Sequence, residues 1–467
     1  MLVLASTGSA QTPWKFIMTC DSRGGFSDPN GINKTILGEL AAEVVSRNVD
    51  FVLFPGDLVA GISAHSPEQF ETQLRLWVKI MEPVYNADIG VYVGRGNHEI
   101  GDNYNSSSPP PDPNKSFAAR WLNVFGSDLY PDQKLPGNGP PKEKYMTYSF
   151  THKNAFIAML DQYAGIDHMC IHKVNQPWLD AQLAANTKPH IFITSHEPAF
   201  KAKDREGLDT YVADRDRFWG SIANAGGRTY LCGHDHFYNH ARLDDGDGDP
   251  NNDVHQFIVG TAGSLYTWND VYPGDHSFYT IEYIYHVRRH GYVLVEVNDL
   301  DVTLTWMQRD TTDLDATGVY EPNDTWSYTA APKPVLLAPN GGEKLSSPGT
   351  YPITYTTFDG TEINDVLIEY SSDNGQSYEQ VDISPNTGLY EWDIPPVDSN
   401  QCLIRLSDLD NPTVGDISDN VFTIFQCQEQ LISDLNNDCY IDFRDYIILA
   451  GEWLKCGNPF DPACDEQ

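Results

Sequence analysis

Positive charge is what this chain has least of: 30 Lys and Arg stand against 66 Asp and Glu in 467 residues, a formal net charge of -36. Such a chain disfavours tight binding to nucleic acid or to an anionic membrane through a basic surface, and extracellular, calcium-rich or saline surroundings suit it better. Long apolar runs are missing too, and none approaches the roughly 18 residues of a membrane-spanning helix. The first ten residues lack a basic start and a full apolar region. Their short apolar stretch and the small residues Gly8-Ser9-Ala10 still read as the remnant, 1–10, of a secretory signal. Cysteine is sparse before position 402, where only Cys20, Cys170 and Cys232 occur.

What is present sets the scale. An apolar content of 40% and an aromatic content of 12% can bury a large core and fill more than one domain. Cys20 and Cys232, at strand ends beside polar motifs, read as small buried apolar side chains. Cys402, Cys427, Cys439, Cys456 and Cys464 crowd the end of the chain, and such crowding in an acidic tail points to oxidised pairs in an exported protein. Cys456 with Cys464 is the best single pairing, although sequence leaves connectivity open.

From Trp14 to about Asp310 apolar strands alternate with amphipathic helices. Strands are expected at Trp14 to Thr19, Phe51 to Phe54, Val91 to Val93, Phe156 to Leu160, His190 to Thr194 and Thr229 to Cys232. Four more follow at Phe257 to Val259, Ser277 to Tyr285, Tyr292 to Val297 and Val302 to Met307. Helices are expected at Ile32 to Arg47, Pro67 to Asn86, Gln176 to Asn186 and near Arg215 to Asn224. A layered α/β sandwich over 14–310 follows, with long surface loops at Asn103 to Pro113 and Pro131 to Lys144 that could form part of a substrate mouth. Residues 311–332 are polar with no sustained period and read as a linker. Residues 333–426 hold short alternating strands broken by Asn340-Gly-Gly and Asp373-Asn-Gly turns, the pattern of a β-sandwich. Residues 427–467 form an acidic tail.

Five polar elements sit at the ends of successive expected strands: Asp21; Gly56-Asp57; Gly96-Asn97-His98-Glu99; Ser195-His196-Glu197; and Gly233-His234-Asp235-His236. A rigid sheet can aim such side chains at one point. Together they offer two carboxylates, one amide and three imidazoles, a set that suits divalent transition metals. A bridging carboxylate offsets the repulsion of two cations about 3.5 to 4 Å apart, while both polarise phosphoryl oxygens and acidify a bound water. Any one of these motifs alone is more often a turn or a solvated loop. His65, His168, His172 and His190 match no motif and read as surface or satisfied polar residues.

In these five ordered elements the chain resembles the calcineurin-like metallophosphoesterases, a superfamily that includes purple acid phosphatases and many phosphodiesterases; the resemblance covers roughly residues 14 to 300. It implies a four-layer α/β/β/α sandwich. It implies that Asp57 bridges two metals, that Asp21 and His236 hold the first, and that Asn97, His196 and His234 hold the second. His98 would then protonate the leaving group, and Glu99 would orient His98 or His234. Many relatives carry Asp-x-His where this chain has Asp21-Ser22-Arg23, and purple acid phosphatases place Tyr where it has Ala60. The first metal accordingly lacks one protein ligand. Two divalent ions of zinc, iron or manganese are expected, or one if the first position is weak. Arg23 and Arg95 read equally as bidentate phosphate binders and as structural salt bridges.

Two further runs could hold calcium. Asp244 to Asp253 places acidic oxygens at alternate positions but ends on Gln256 where a closing carboxylate belongs, so a solvated acidic loop is the readier account. In the tail, Asp434, Asn436, Asp438, the Tyr440 carbonyl, Asp442 and Asp445 match a calcium loop followed by a helical pattern over Tyr446 to Leu454. That run resembles half of a dockerin in a single copy, with Cys439 in place of the turn glycine at a cost of about 1 to 2 kcal/mol. The sandwich resembles the Ig-like or fibronectin-like modules of bacterial exported enzymes, through Asn340-Gly-Gly-Glu343, Tyr370-Ser-Ser-Asp-Asn-Gly375 and Tyr390-Glu-Trp392. The expected whole is an exported phosphoesterase in which a metal-activated water attacks small phosphate monoesters, with a phosphodiesterase or an inactive attachment scaffold as alternatives. The tail would serve as an anchor to a surface or a protein.

Overall fold

Runs of β-branched and aromatic residues separated by amphipathic stretches become the strands of two mixed sheets. The structure, a computed structural model, describes residues 12–25, 28, 30–61, 64, 66–100, 116–126, 135–167, 171–186, 188–202, 206–248, 250–266, 278–314, 316–330, 334–357, 363–409, 412, 415–427, 432–435, 439 and 441–453. The chain divides into one unit over Ser9–Ala331 and a second that takes in Pro332–Gln467.

In the first unit, β1 (Trp14–Met18), β2 (Phe51–Phe54) and β3 (Gly90–Val93) run parallel, and β11 (Gly291–Asn298), β12 (Asp301–Arg309) and β13 (Tyr320–Thr329) extend the β1 edge antiparallel. The second sheet comprises β4 (Tyr148–His152), β5 (Ala155–Leu160), β6 (His190–Ser195), β7 (Thr229–Cys232), β8 (Tyr238–Asp244), β9 (Val254–Val259) and β10 (Thr280–Val287). Its order is β10-β8-β9-β7-β6-β5-β4, with β5, β6, β7 and β9 parallel.

Side-chain alternation divides each parallel strand between two cores. Phe16 and Met18 of β1 with Phe51 and Leu53 of β2 pack against Ile157, Phe192, Leu231 and Phe257 of the other sheet. Their neighbours Ile17, Val52 and Phe54 instead meet α1 (Lys34–Arg47), α2 (Pro67–Ile80), α3 (Glu82–Asn86) and α4 (Phe117–Phe125) through Leu40, Trp77, Val84 and Trp121. Ala158, Ile193 and Tyr230 pack with α5 (Gln176–Ala184) and α6 (Val212–Asn224) through Leu179, Phe218 and Trp219. Each such large side chain contributes about 1.5–3 kcal/mol by leaving water. This burial holds the carboxyl ends of β1, β2, β3, β6 and β7 in place.

Two expectations change. The single helix over Pro67 to Asn86 is two helices that meet at Met81, because Pro83 has no N–H to continue the first ladder and sits in the first turn of α3. The linker expected at 311–332 contains β13, which pairs with β12 from Asp301↔Thr329 to Arg309↔Tyr320. Pro322 is accommodated where the register shifts, between Trp306 and Met307.

β13 is pinned by a buried polar chain. Asp324 Oδ2 accepts from Tyr238 Oη at 2.7 Å and faces His240 Nδ1 at 2.9 Å; His240 Nε2 faces His255 Nδ1 at 2.8 Å, and Trp326 stacks on His255. Burial, then the charges of His240, Arg228 and Arg242, push His255 down to about 2. Between that value and its ordinary value near 6.5 the unfolded chain binds the proton and the folded one does not, so stability falls as pH falls. We expect the His255 share of that loss to be on the order of 3 kcal/mol between pH 7 and pH 4. Urea unfolding of the wild type beside His255→Phe should show a steeper acid loss in the wild type; parallel losses would reject the assignment.

In the second unit β14 (Pro334–Ala338), β16 (Thr350–Thr357) and β19 (Leu389–Asp393) form one sheet. β15 (Lys344–Ser347), β22 (Phe422–Gln426), β20 (Ser399–Asp408), β17 (Asp365–Ser371) and β18 (Glu379–Pro385) form another, with β21 (Gly415–Ile417) on β20. Ile353, Tyr355 and Trp392 share a core with Val366, Ile368, Ile404 and Ile424. After these strands comes α7 (Phe443–Glu452), capped by the Asp442 side chain. Cys427 and Cys439 form a disulfide; the pairing expected for Cys456 and Cys464 lies outside the described residues, as do His65, His168 and the Asn103 to Pro113 loop.

Candidate metal centre

Asp21 lies three residues beyond β1, Asp57 three beyond β2 and Asn97 four beyond β3. His196 follows β6 directly, and His234 and His236 occupy the β7–β8 connection. All six are buried. Asp21, Asp57 and His234 have φ of 66°, 48° and 68°, a left-handed conformation that non-glycine residues seldom adopt and that recurs where function requires it. Two motif glycines permit the approach: a Cβ on Gly96 would overlap Asp57 Oδ1 and N, and one on Gly233 would overlap Cys20 Sγ and Asp21 Oδ2.

Acceptor atoms converge without enough donors. His196 Nδ1 lies 3.2 Å from the Pro55 carbonyl oxygen, so it carries the proton and Nε2 presents a lone pair. That Nε2 faces Asn97 Oδ1 at 3.2 Å, His234 Nδ1 at 3.2 Å and Asp57 Oδ1 at 3.4 Å. Asn97 Oδ1 and His234 Nδ1 are themselves 3.0 Å apart. On the other side His236 Nδ1 donates to the Leu265 carbonyl at 2.7 Å, leaving Nε2 toward Asp21 Oδ1 at 3.4 Å. Asp21 Oδ1 and Asp57 Oδ2 are buried without a hydrogen bond. Asp21, Asp57 and His236 can place one ligand atom each within 4.8 Å of one another. Lone pairs facing lone pairs in a dry site are costly, and a divalent cation removes the conflict, so these residues fit a metal.

The electrostatics agree. Burial pushes the Asp21 carboxyl up to about 6, with His196 opposing and Asp57 adding to the rise. Burial also works to raise Asp57, but His98, His196 and Arg23 hold it below the ordinary carboxylate range. Two neighbouring buried carboxylates ionise together only beside positive charge. His98 is driven down to about 3, by burial first and against the pull of Asp57, with Arg23 adding. Its Nε2 lies 3.8 Å from Asp57 Oδ2, and its backbone N–H donates to Asp57 Oδ1 at 3.0 Å.

Several expected roles change. Arg95 is fully buried and clamps Asp161 through Nε and Nη2 at 2.8–2.9 Å, with a further bond to the Gly165 carbonyl. Those two nitrogens form a structural ion pair, while Nη1 is buried without a hydrogen-bond partner. Removing the carboxylate in Asp161→Ala should cost about 3–5 kcal/mol by stranding a buried guanidinium; chemical denaturation checks this, and a loss below 1 kcal/mol would count against it. Glu99 orients neither His98 nor His234 through its carboxylate. Its oxygens accept from the backbone N–H groups of Gly96, Asp57 and Val59 and so tie two ligand loops together. Burial and then the Asp57 charge push its carboxyl well above the ordinary range. Arg23, 8% exposed, places Nε 3.6 Å from Asp57 Oδ2.

His172, read as a surface or satisfied residue, is buried against Glu197, with Nδ1 3.0 Å from Oε2. His190 contacts the Asp299 carbonyl at 2.6 Å through Nε2. Cys20 lies 3.6 Å from His196 Nδ1 and forms a cluster with it and Asp21. Its thiol donates to the Gly56 carbonyl, and burial and then the Asp21 charge raise its pKa well above the ordinary value. Sequence reading missed Asp161 as the Arg95 partner and the Pro55 and Leu265 carbonyls that set the imidazole tautomers; a backbone carbonyl leaves no mark in a sequence.

At the acidic loop, Asp244, Asp245 and Asp253 cluster, but Asp253 pairs with Arg242 at 3.2 Å and Gln256 turns inward to hold Ala199 and Phe200. In the tail, Asp434 Oδ2 accepts from Cys439 N, and Asp445 from Leu435 N and Asp442 N. Cys439 has φ 68°, the turn conformation expected of the glycine it replaces. Asn436, Asp438 and Tyr440 lie outside the described residues.

Residues 26–238 match the family model for calcineurin-like phosphoesterases. No curated protein matches the chain. The matched segment holds Asp57, Asn97, His98, His196, His234 and His236, while Asp21 and Arg23 precede it. The match indicates a hydrolase acting on phosphoric ester bonds, and the matched family uses divalent metals.

Proposed function

We propose that residues 14–310 form an exported metal-dependent phosphoesterase that prefers phosphate monoesters. The observation that carries this reading is the meeting of Asn97 Oδ1, His196 Nε2, His234 Nδ1 and Asp57 Oδ1 at one buried point. Two helix-facing cores and a shared inter-sheet core support the four-layer arrangement that aims them.

Bound divalent ions would supply Lewis-acid polarisation of the phosphoryl group and acidify water. Asp57 would be the shared ligand, with Asp21 and His236 on one side and Asn97, His196 and His234 on the other. The chain's own residues do the rest. Arg23 is permanently protonated and stands beside Asp57, where it can take a phosphoryl oxygen. Concentrated positive charge favours a dianionic monoester over a monoanionic diester. His98 lies within reach of the same region and donates to the departing oxygen. The reaction we propose is direct transfer to water, with no covalent enzyme intermediate.

Hydrolysis of p-nitrophenyl phosphate beside its bis-ester, with manganese, zinc or iron supplied, tests the reading. Faster turnover of the monoester is expected; faster turnover of the diester would make the enzyme a phosphodiesterase, and none with any metal would reject the function.

Export rests on the Cys427–Cys439 disulfide, which persists in oxidising compartments, and fractionation that finds the active protein in the cytosol would refute it. No helix among the described residues is long and apolar enough to cross a membrane. We read Pro332–Gln467 as an Ig-like or fibronectin-like module with a calcium-binding, dockerin-like tail for attachment to a surface or protein. The two-sheet core and the placement of Asp434, Asp442 and Asp445 support this. Calcium titration followed by calorimetry should show a site lost in Asp445→Ala, and unchanged heats would dismiss it.

A further inference from the structure

The two halves of the centre are not equivalent. One half offers Asn97 Oδ1, His196 Nε2, His234 Nδ1 and Asp57 Oδ1, four donor atoms for a tetrahedral ion. The other offers three, from Asp21, Asp57 and His236, and Arg23 Nε already lies 3.6 Å from Asp57 Oδ2. Both partners of that contact are buried, with side chains 10% and 1% exposed, so little water screens it.

A metal bound to Asp57 Oδ2 at about 2.0–2.2 Å would lie within roughly 6 Å of the guanidinium nitrogen. The guanidinium cannot relieve the repulsion by losing its proton. Charge decides the matter. Two divalent ions with Arg23, against the carboxylates of Asp21 and Asp57, leave a buried excess of three positive charges. One divalent ion with Arg23 leaves an excess of one, which the phosphate of the substrate more than balances. Glu99 adds no ligand to the second position, because its oxygens are engaged with Gly96, Asp57 and Val59 N–H groups.

We propose that the centre holds a single tightly bound divalent ion, in the Asn97–His196–His234–Asp57 position, and that the Arg23 guanidinium stands in for a second metal beside Asp21, Asp57 and His236. This inference rests on the phosphoesterase reading and narrows it. Arg23 then serves two ends: it keeps the second position empty at ordinary metal concentrations and presents a fixed charge to the phosphate.

The test is metal content, not turnover. Full-length protein loaded with excess manganese and then desalted is analysed by elemental mass spectrometry and by electron paramagnetic resonance. About one equivalent with an uncoupled manganese spectrum is expected for wild type and for Arg23→Lys, which keeps the charge. About two equivalents with spin coupling are expected for Arg23→Met, which keeps the bulk and drops the charge, and for Arg23→His, which adds a ligand. Circular dichroism establishes that each variant is folded, and any one neutral variant that folds suffices. Two tight ions in the wild type, or one in every folded variant, would overturn the proposal. An active wild type with two ions would leave the phosphoesterase reading standing, whereas an inactive wild type with none would remove that reading itself.

Discussion

Asp57→Asn should lower kcat/KM for p-nitrophenyl phosphate by roughly 10⁴-fold, because it removes the one charge that serves both halves of the centre. Asp57 Oδ1 faces His196 and accepts the His98 backbone N–H, while Oδ2 faces Arg23 and His98 Nε2. An amide cannot meet both demands. Its oxygen belongs where the His98 N–H donates, which turns its NH₂ group toward Arg23 and toward the ligand position shared with Asp21 and His236. Asparagine also tolerates the left-handed φ of 48° at this position better than most residues do, so the backbone is kept and the loss is chemical. Steady-state kinetics with metal analysis and a thermal melt check this. A folded Asp57→Asn protein within tenfold of wild-type activity would show that Asp57 is not the shared ligand.

The centre could be read from the sequence because its ligands follow strands. An apolar run such as Phe51-Val-Leu-Phe54 is followed, after Pro55, by Gly56-Asp57, and sheet geometry sends such turns to one edge. What stayed hidden depends on contacts distant along the chain. Arg95 looks the same in sequence whether it meets a phosphate or a carboxylate; Asp161, 66 residues away, takes its Nε and Nη2. β13 was hidden differently. Glu321-Pro-Asn-Asp-Thr has the composition of a linker, yet Asp324, Trp326 and Tyr328 alternate toward buried partners, and the open edge of β12 supplies the hydrogen bonds that Thr311 to Pro332 could not supply alone. In the same way Glu99 reads as a second layer around an imidazole, whereas three backbone N–H groups from two loops claim its oxygens first.

His98→Ala carries the second large effect, and its size should depend on the leaving group. In the free site His98 is held near 3 by burial, so at neutral pH it has no proton to give beyond its neutral N–H. Substrate changes that. Two negative charges at about 4 Å, in surroundings with an effective dielectric of about 20, are worth on the order of 8 kcal/mol. That corresponds to about six pKa units. A cation held by Asp57 would oppose this, offset in part by the Asp57 carboxylate itself, whose Oδ2 lies 3.8 Å from His98 Nε2. The proton is therefore taken up with substrate and delivered as the bond breaks, and the alkaline limb that its loss sets should sit at higher pH in kcat than in kcat/KM. His98→Ala should then cost about 10²–10⁴-fold with an alkyl phosphate and less than about tenfold with a nitrophenyl ester, whose oxygen departs without a proton. Equal losses with both esters would make His98 a neutral hydrogen-bond donor to the phosphoryl group. In that case the burial that lowers its pKa, and not the charge of the substrate, would govern its part in the reaction.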